Sequence, residues 1–121
     1  MTFPAWFAPL ATAAPSLTER DFSWQPMPTT PEREAAVLVL IGPAASHGDV
    51  LLIQRPGHMR SHAGQPAFPG GRIEPGETAV QAALREAAEE VGLDTDSVTV
   101  VAALPQLWLP PSRFRVTPVL A

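Results

Sequence analysis

Residues 71–93 read GRIEPGETAVQAALREAAEEVGL, and the two ends of that run define a helix before any tertiary argument is made. Pro75-Gly76 is turn chemistry. Thr78, followed three positions later by Gln81, has the spacing of a capping box, in which each side chain satisfies the other residue's backbone N–H. Gly92 supplies the left-handed conformation that ends many helices, and Leu93 supplies the apolar side chain that folds back on the last turn. The spacing predicts a helix of about thirteen residues that begins near Ala79.

Along that helix Val80, Ala83, Leu84, Ala87 and Val91 recur at spacings of three and four, one apolar stripe that faces a core. Glu86, Glu89 and Glu90 are also three and four apart and project from a different face. Two readings fit such a patch. In one it is a solvated face on which Arg85 pairs with Glu89, worth a few tenths of a kcal/mol. In the other the carboxylates gather cations, because like charges this close repel unless neutralised. An all-oxygen site suits Mg²⁺ or Mn²⁺ rather than zinc. Magnesium takes a few carboxylates, several waters and phosphate oxygens, so a diphosphate would supply the missing ligands.

The fixed positions decide between the two readings. Gly71, Glu77, Arg85-Glu86, Glu89-Glu90, Gly92 and Leu93 resemble the Nudix box at every position. The resemblance implies an α/β fold, the Nudix-type α/β/α sandwich with a mixed sheet, and a diphosphatase dependent on Mg²⁺ or Mn²⁺. It implies that Glu86 and Glu90 are the principal metal ligands, assisted by Glu89 and the Gly71 carbonyl. Arg85 would orient Glu86, and Glu77 would support the site. The implied chemistry is attack of a metal-activated water on phosphorus, with Glu86 taking or directing the proton.

Upstream, Leu51 to Gly71 reads LLIQRPGHMRSHAGQPAFPGG and resembles the coenzyme A diphosphatase subfamily, with Leu51, Leu52, Arg55, Arg60, Gly64, Phe68, Pro69, Gly70 and Gly71 in register. Ile53 and Pro56 depart from that pattern, and Arg113 stands downstream where the subfamily has glycine. The implied reaction cuts coenzyme A, or a derivative, to 4′-phosphopantetheine and adenosine 3′,5′-bisphosphate. Arg55, Arg60 and Arg72 are the candidates for phosphate contacts, since guanidinium forks match phosphate oxygens. Gly64 and Gly70 would let backbone approach the substrate. The alternatives are hydrolysis of another nucleoside diphosphate derivative such as ADP-ribose, or a non-catalytic nucleotide-binding fragment. His58 and His62 lie in a segment bracketed by Pro56, Gly57 and Gly64, which reads as a loop rather than a zinc helix.

A chain of 121 residues with 45% apolar content makes one small domain. It has no cysteine, which fits a reducing cytoplasm, and its net charge of −4 offers no nucleic-acid footprint. No run approaches the length of a membrane helix. Residues 1–34 read as an irregular proline-rich arm with a helical turn near Leu17 to Phe22, and residues 35–121 as the catalytic domain. The N-terminus lacks the basic region of a secretory signal. Strands are expected at Ala35–Ile41, at its hairpin partner Val50–Gln54, at Val98–Leu104 and at Arg115–Leu120. The resembled family continues past such a last strand, so the fold is expected to be incomplete at the C-terminus. The apolar strand then lacks cover, to be supplied by a longer chain or a homodimer.

Overall fold

The computed structural model of the chain describes residues 3–18, 21, 33–42, 48–54, 64–109 and 114–121. The N-terminal helix α1 spans Ala8–Ala13 and runs into a 3₁₀ turn at Ala14–Ser16. There follow β1 (Arg33–Val39), β2 (Ile41–Gly42), β3 (Asp49–Val50), β4 (Ile53–Gln54), β5 (Pro66–Ala67) and β6 (Gly70–Arg72). The long helix α2 covers Ala79–Val91, and β7 (Ala102–Ala103), β8 (Leu107–Leu109) and β9 (Phe114–Leu120) complete the order.

Both ends of α2 behave as their local chemistry dictates. Thr78 Oγ1 accepts from Gln81 N–H at 3.1 Å, and Gln81 Oε1 accepts from Thr78 N–H at 2.9 Å. Gly92 closes the helix at φ +68°, its N–H donating to the Ala88 carbonyl. The helix lies on a mixed five-stranded sheet in which β1 pairs antiparallel with β6 and parallel with β9, while β7 and β8 both pair antiparallel with the other edge of β9. A parallel pair demands a long crossover, and α2 belongs to the one that joins β1 to β9.

The sheet is covered on both faces. On one, Ala82, Ala83 and Ala87 of α2 are buried against Ala36, Leu38 and Val119, and their small side chains let the helix settle close to the strands. On the other, Phe7 and Ala14 of the arm pack on Leu120, with Val39 and Ile41 beside them. The arm thus makes a second layer, and its helix stands at residues 8–13; of the helical turn expected near Leu17 to Phe22, residues 19, 20 and 22 lie outside the described residues, and the Asp21 N–H donates to the Thr18 carbonyl at 2.9 Å. Val91 departs from the expected stripe: it is exposed, and Ala82 takes the buried place, because the core lies under the first two and a half turns of α2.

Other strands also differ from expectation. Val50–Gln54 splits: Val50 pairs with Ile41, and Ile53–Gln54 turns away to pair with Ala67 and Pro66. Over Val98–Leu104 the ladder begins only at Val101, whose N–H donates to Leu120 O. The last strand, expected to want cover, is paired along both edges and buried from Val116 to Ala121. Replacing Thr78 with Ala removes one half of the capping box and is expected to lower stability by about 1 kcal/mol, read from urea unfolding.

Candidate active site

The start of strand β6 and the C-terminal half of α2 meet at a glycine pair. At Gly71 a Cβ would lie 2.5 Å from Glu86 Oε1 and 2.6 Å from its Cδ, so the glutamate carboxylate occupies the space that any other residue would fill. At Gly70 a Cβ would collide with the Ala36 carbonyl and stand 2.8 Å from the Val37 Cα, which makes glycine a packing necessity there. The Gly70 N–H donates to Glu90 Oε1 at 3.0 Å. Glu86 and Glu90, one helical turn apart, therefore lie against two consecutive residues of the same strand, Glu90 by a hydrogen bond and Glu86 by close approach.

Arg85 binds this arrangement together. Its Nε and Nη2 make a forked pair with Glu77 at 2.7 and 3.0 Å, its Nη1 donates to Glu86 Oε1 at 3.0 Å, and Nη2 also donates to the Arg72 carbonyl at 3.1 Å. A longer contact of 3.4 Å reaches Glu89. The i,i+4 pair of the solvated-face reading is thus present but is the weakest bond that Arg85 makes. Glu77 is further fixed by the Glu74 N–H, which donates to Oε1 at 3.1 Å. The Arg85 guanidinium, and then that backbone N–H, hold the Glu77 carboxyl below its ordinary value of 4.5. The same pairing, chiefly with Glu77, raises Arg85 above the usual arginine range, so it stays charged.

The carboxylates do not converge as one cluster. Glu86 turns to Gly71 and Glu90 to Gly70, while the Glu89 side chain is 60% exposed. Among the described residues no three acidic, histidine or cysteine side chains form a ready cage for a metal. The Leu38 N–H to Pro69 and Ile73 N–H to Glu34 bonds flank the Ala36/Gly71 pair, and by antiparallel alternation the Gly71 carbonyl is turned toward β1. Two carboxylates beside a backbone segment nevertheless suit magnesium, which keeps waters and accepts substrate oxygens for the rest of its shell.

Of the other residues expected here, Arg72 is placed on β6, its carbonyl tied to Arg85 and its side chain exposed on the rim of an open cavity of about 440 Å³. Arg33, Glu34, Glu74 and Glu77 line the same cavity; Arg33 and Glu34 carried no signal in the sequence, since strand pairing alone brings them there. Gly64 adopts φ +73° and its carbonyl accepts from Gln54 Nε2 at 3.2 Å, which makes it a turn residue at the start of β5. Arg55, Arg60, His58, His62 and Arg113 lie outside the described residues.

With this geometry in hand, comparison with known proteins is decisive on family. The NUDIX domain matches residues 31–118. The chain belongs to the NUDIX family. It is 46% identical over 100 residues to the Klebsiella aerogenes protein named "Uncharacterized Nudix hydrolase NudL", covering 79% of this chain and 82% of that one. Other curated relatives are longer: the chain spans 47% of the Citrobacter koseri NudL and 35% of the Caenorhabditis elegans Nudix hydrolase 3. Among solved structures, the Mycobacterium smegmatis Nudix hydrolase RenU superposes with TM-score 0.62 at 29% identity, over 73% of this chain and 59% of that one. The C. elegans Ap4A hydrolase does so with TM-score 0.60 at 26% identity, over 73% and 65%. Both confirm the mixed α/β Nudix fold. Among the described residues no helix is long and apolar enough to cross a membrane.

The sign of the Glu77 shift gives a test of the Arg85 hub. A carboxyl with a lowered folded-state value contributes stability that is present above pH 4.5 and is lost as pH falls through the folded value. Glu77→Gln is therefore expected to unfold more easily than wild type at pH 7, with the gap in urea midpoint closing as the pH is lowered below 4.5.

Proposed function

We propose that this NUDIX chain hydrolyses the diphosphate linkage of a nucleoside diphosphate derivative with the help of Mg²⁺ or Mn²⁺, and that coenzyme A or one of its derivatives is the substrate. The observation that carries the hydrolase reading is the Glu86 carboxylate seated in the space left by the missing side chain of Gly71, with Glu90 on the next residue along. Glu86 and Glu90 would hold the cation, Glu89 would join when substrate is present, and the Gly70–Gly71 backbone would border the site. When bound, the cation lowers the pKa of water and spreads charge from the leaving phosphate.

The chain's own part is positional and acid–base. Arg85, kept charged by Glu77, fixes one oxygen of Glu86 and so leaves the other to accept a proton from the attacking water. Glu77 touches no substrate in this scheme and acts by fixing Arg85. Arg72 on the cavity rim, with Arg55 and Arg60, would meet the substrate's phosphates. What favours coenzyme A is the run Leu51 to Gly71, which carries the subfamily's spacing of two arginines, a glycine and Phe-Pro-Gly-Gly. The products would be 4′-phosphopantetheine and adenosine 3′,5′-bisphosphate, formed in the cytoplasm, with a homodimer as the working assembly.

A second reading, hydrolysis of ADP-ribose or of a dinucleotide, is favoured by the likeness to the Ap4A hydrolase structure. Product analysis of coenzyme A and ADP-ribose with protein and Mg²⁺ separates the two. Glu86→Gln is expected to cut Mg²⁺-dependent turnover by roughly 10²-fold or more, the usual scale for a positioned acid–base group. An unchanged rate would remove Glu86 from the mechanism. Arg60→Ala is expected to raise KM for coenzyme A much more than KM for ADP-ribose; equal effects on both speak against coenzyme A.

A further inference from the structure

Arg33 opens β1 and Arg72 closes β6, and the ladder brings them to one face of the sheet. Ala35 is the register partner of Arg72, and Arg33 stands two residues before it on the same side. Diagonal neighbours of this kind are about 7–8 Å apart, within reach of two long side chains. Both arginines are exposed, and both line the open cavity of about 440 Å³. Arg33 is held there by a ring: its guanidinium carbon stands 5.6 Å from the centroid of Phe114, its register partner on β9. The ring face attracts the cation, and the N–H groups, which lie in the guanidinium plane, are left for an acceptor.

No carboxylate supplies that acceptor. Among the described residues neither the Arg33 nor the Arg72 side chain makes an ion pair or a hydrogen bond, whereas Arg85 reaches three carboxylates. Three glutamates share the cavity wall, yet Glu77 is taken up by the Arg85 fork, Glu34 leaves β1 on the α2 face by alternation, and Glu74 pairs with neither arginine. Two positive charges this close repel unless an anion stands between them. A phosphomonoester suits them best, with a charge of about −1.5 to −2 and three acceptor oxygens that guanidinium forks match. Arg72 follows Gly71 directly, but Glu86 meets Gly71 on the α2 face while the Arg72 side chain leaves the strand on the other. The anion held here is therefore a different phosphate from the one at the carboxylates.

We propose that Arg33, seated on Phe114, and Arg72 together hold a phosphomonoester that the substrate carries apart from its diphosphate, and that Arg33 thereby sets a preference for substrates with this additional phosphate. This rests on the diphosphatase reading above and deepens it. On coenzyme A the group is the ribose 3′-phosphate. Neither arginine takes part in the bond-breaking step.

The test compares adenosine 3′,5′-bisphosphate with AMP, which lacks only the 3′-phosphate, by NMR titration of the full chain in Mg²⁺. Wild type is expected to bind the bisphosphate more tightly, and the Arg33 Nε–H resonance to shift with the bisphosphate and not with AMP. Arg33→Ala should weaken bisphosphate binding on the order of tenfold, the scale of one lost charge-assisted bond, and leave AMP unchanged. The wild-type resonance reads the contact even if the variant fails to fold. A wild-type chain without the preference, or an Arg33→Ala chain that keeps it, overturns the proposal. Mg²⁺-dependent turnover of coenzyme A on the same samples keeps the two readings apart. A preference lost at Arg33→Ala in a chain without wild-type turnover supports the anion site and removes the hydrolase; turnover whose KM is unchanged at Arg33→Ala does the reverse.

Discussion

One guanidinium joins the parts that the site needs. Arg85 stands on α2, but its forked pair is with Glu77 in the loop before the helix, and its Nη2 reaches the carbonyl of Arg72 on β6. Loop, strand and helix are thereby held at one fixed separation. Its Nη1 falls on Glu86, beside Gly71, with a weaker reach to Glu89. Lysine would not serve, because a single ammonium cannot hold a carboxylate in a fork and two further acceptors in the same plane.

The close approach that results is possible only because atoms are missing. Gly71 lacks the Cβ that would displace Glu86, Gly70 lacks the one that would strike β1, and Ala82, Ala83 and Ala87 keep the helix tight to the sheet. The acidic side chains then reach the strand's backbone directly. Glu90 illustrates the point: its bond to the Gly70 N–H makes a carboxylate of the helix part of the edge of the sheet. The glycines in this motif act through space vacated as much as through conformational freedom.

How far the sequence could be read follows from the range of the forces involved. The limits of α2 were legible to the residue because its stops are local: Thr78 with Gln81 at one end and Gly92 at the other. The link from Arg85 to Glu86 was legible from the family's spacing; its fork with Glu77 was not, because it joins the helix to the loop before it. The pairing of β1 with β9 was not, since it joins residues some eighty positions apart and leaves no local mark. The same holds for Arg33 and Glu34, whose place on the cavity is a product of register. Val91 looked buried because periodicity alone does not say where a core ends. The arm's role as a second layer was likewise hidden, for Phe7 and Ala14 show their purpose only against Leu120.

The central claim is that the register of α2 places Glu86 and Glu90 on the Gly70–Gly71 backbone to make a divalent-cation site. Titrating the isotopically labelled chain with Mn²⁺ tests it most directly, because a paramagnetic ion broadens the resonances nearest to it. The account predicts that Gly70, Gly71, Glu86 and Glu90 broaden first, and that Glu86→Gln with Glu90→Gln abolishes this while the chain stays folded. Broadening centred elsewhere, or unchanged in the double variant, would contradict it.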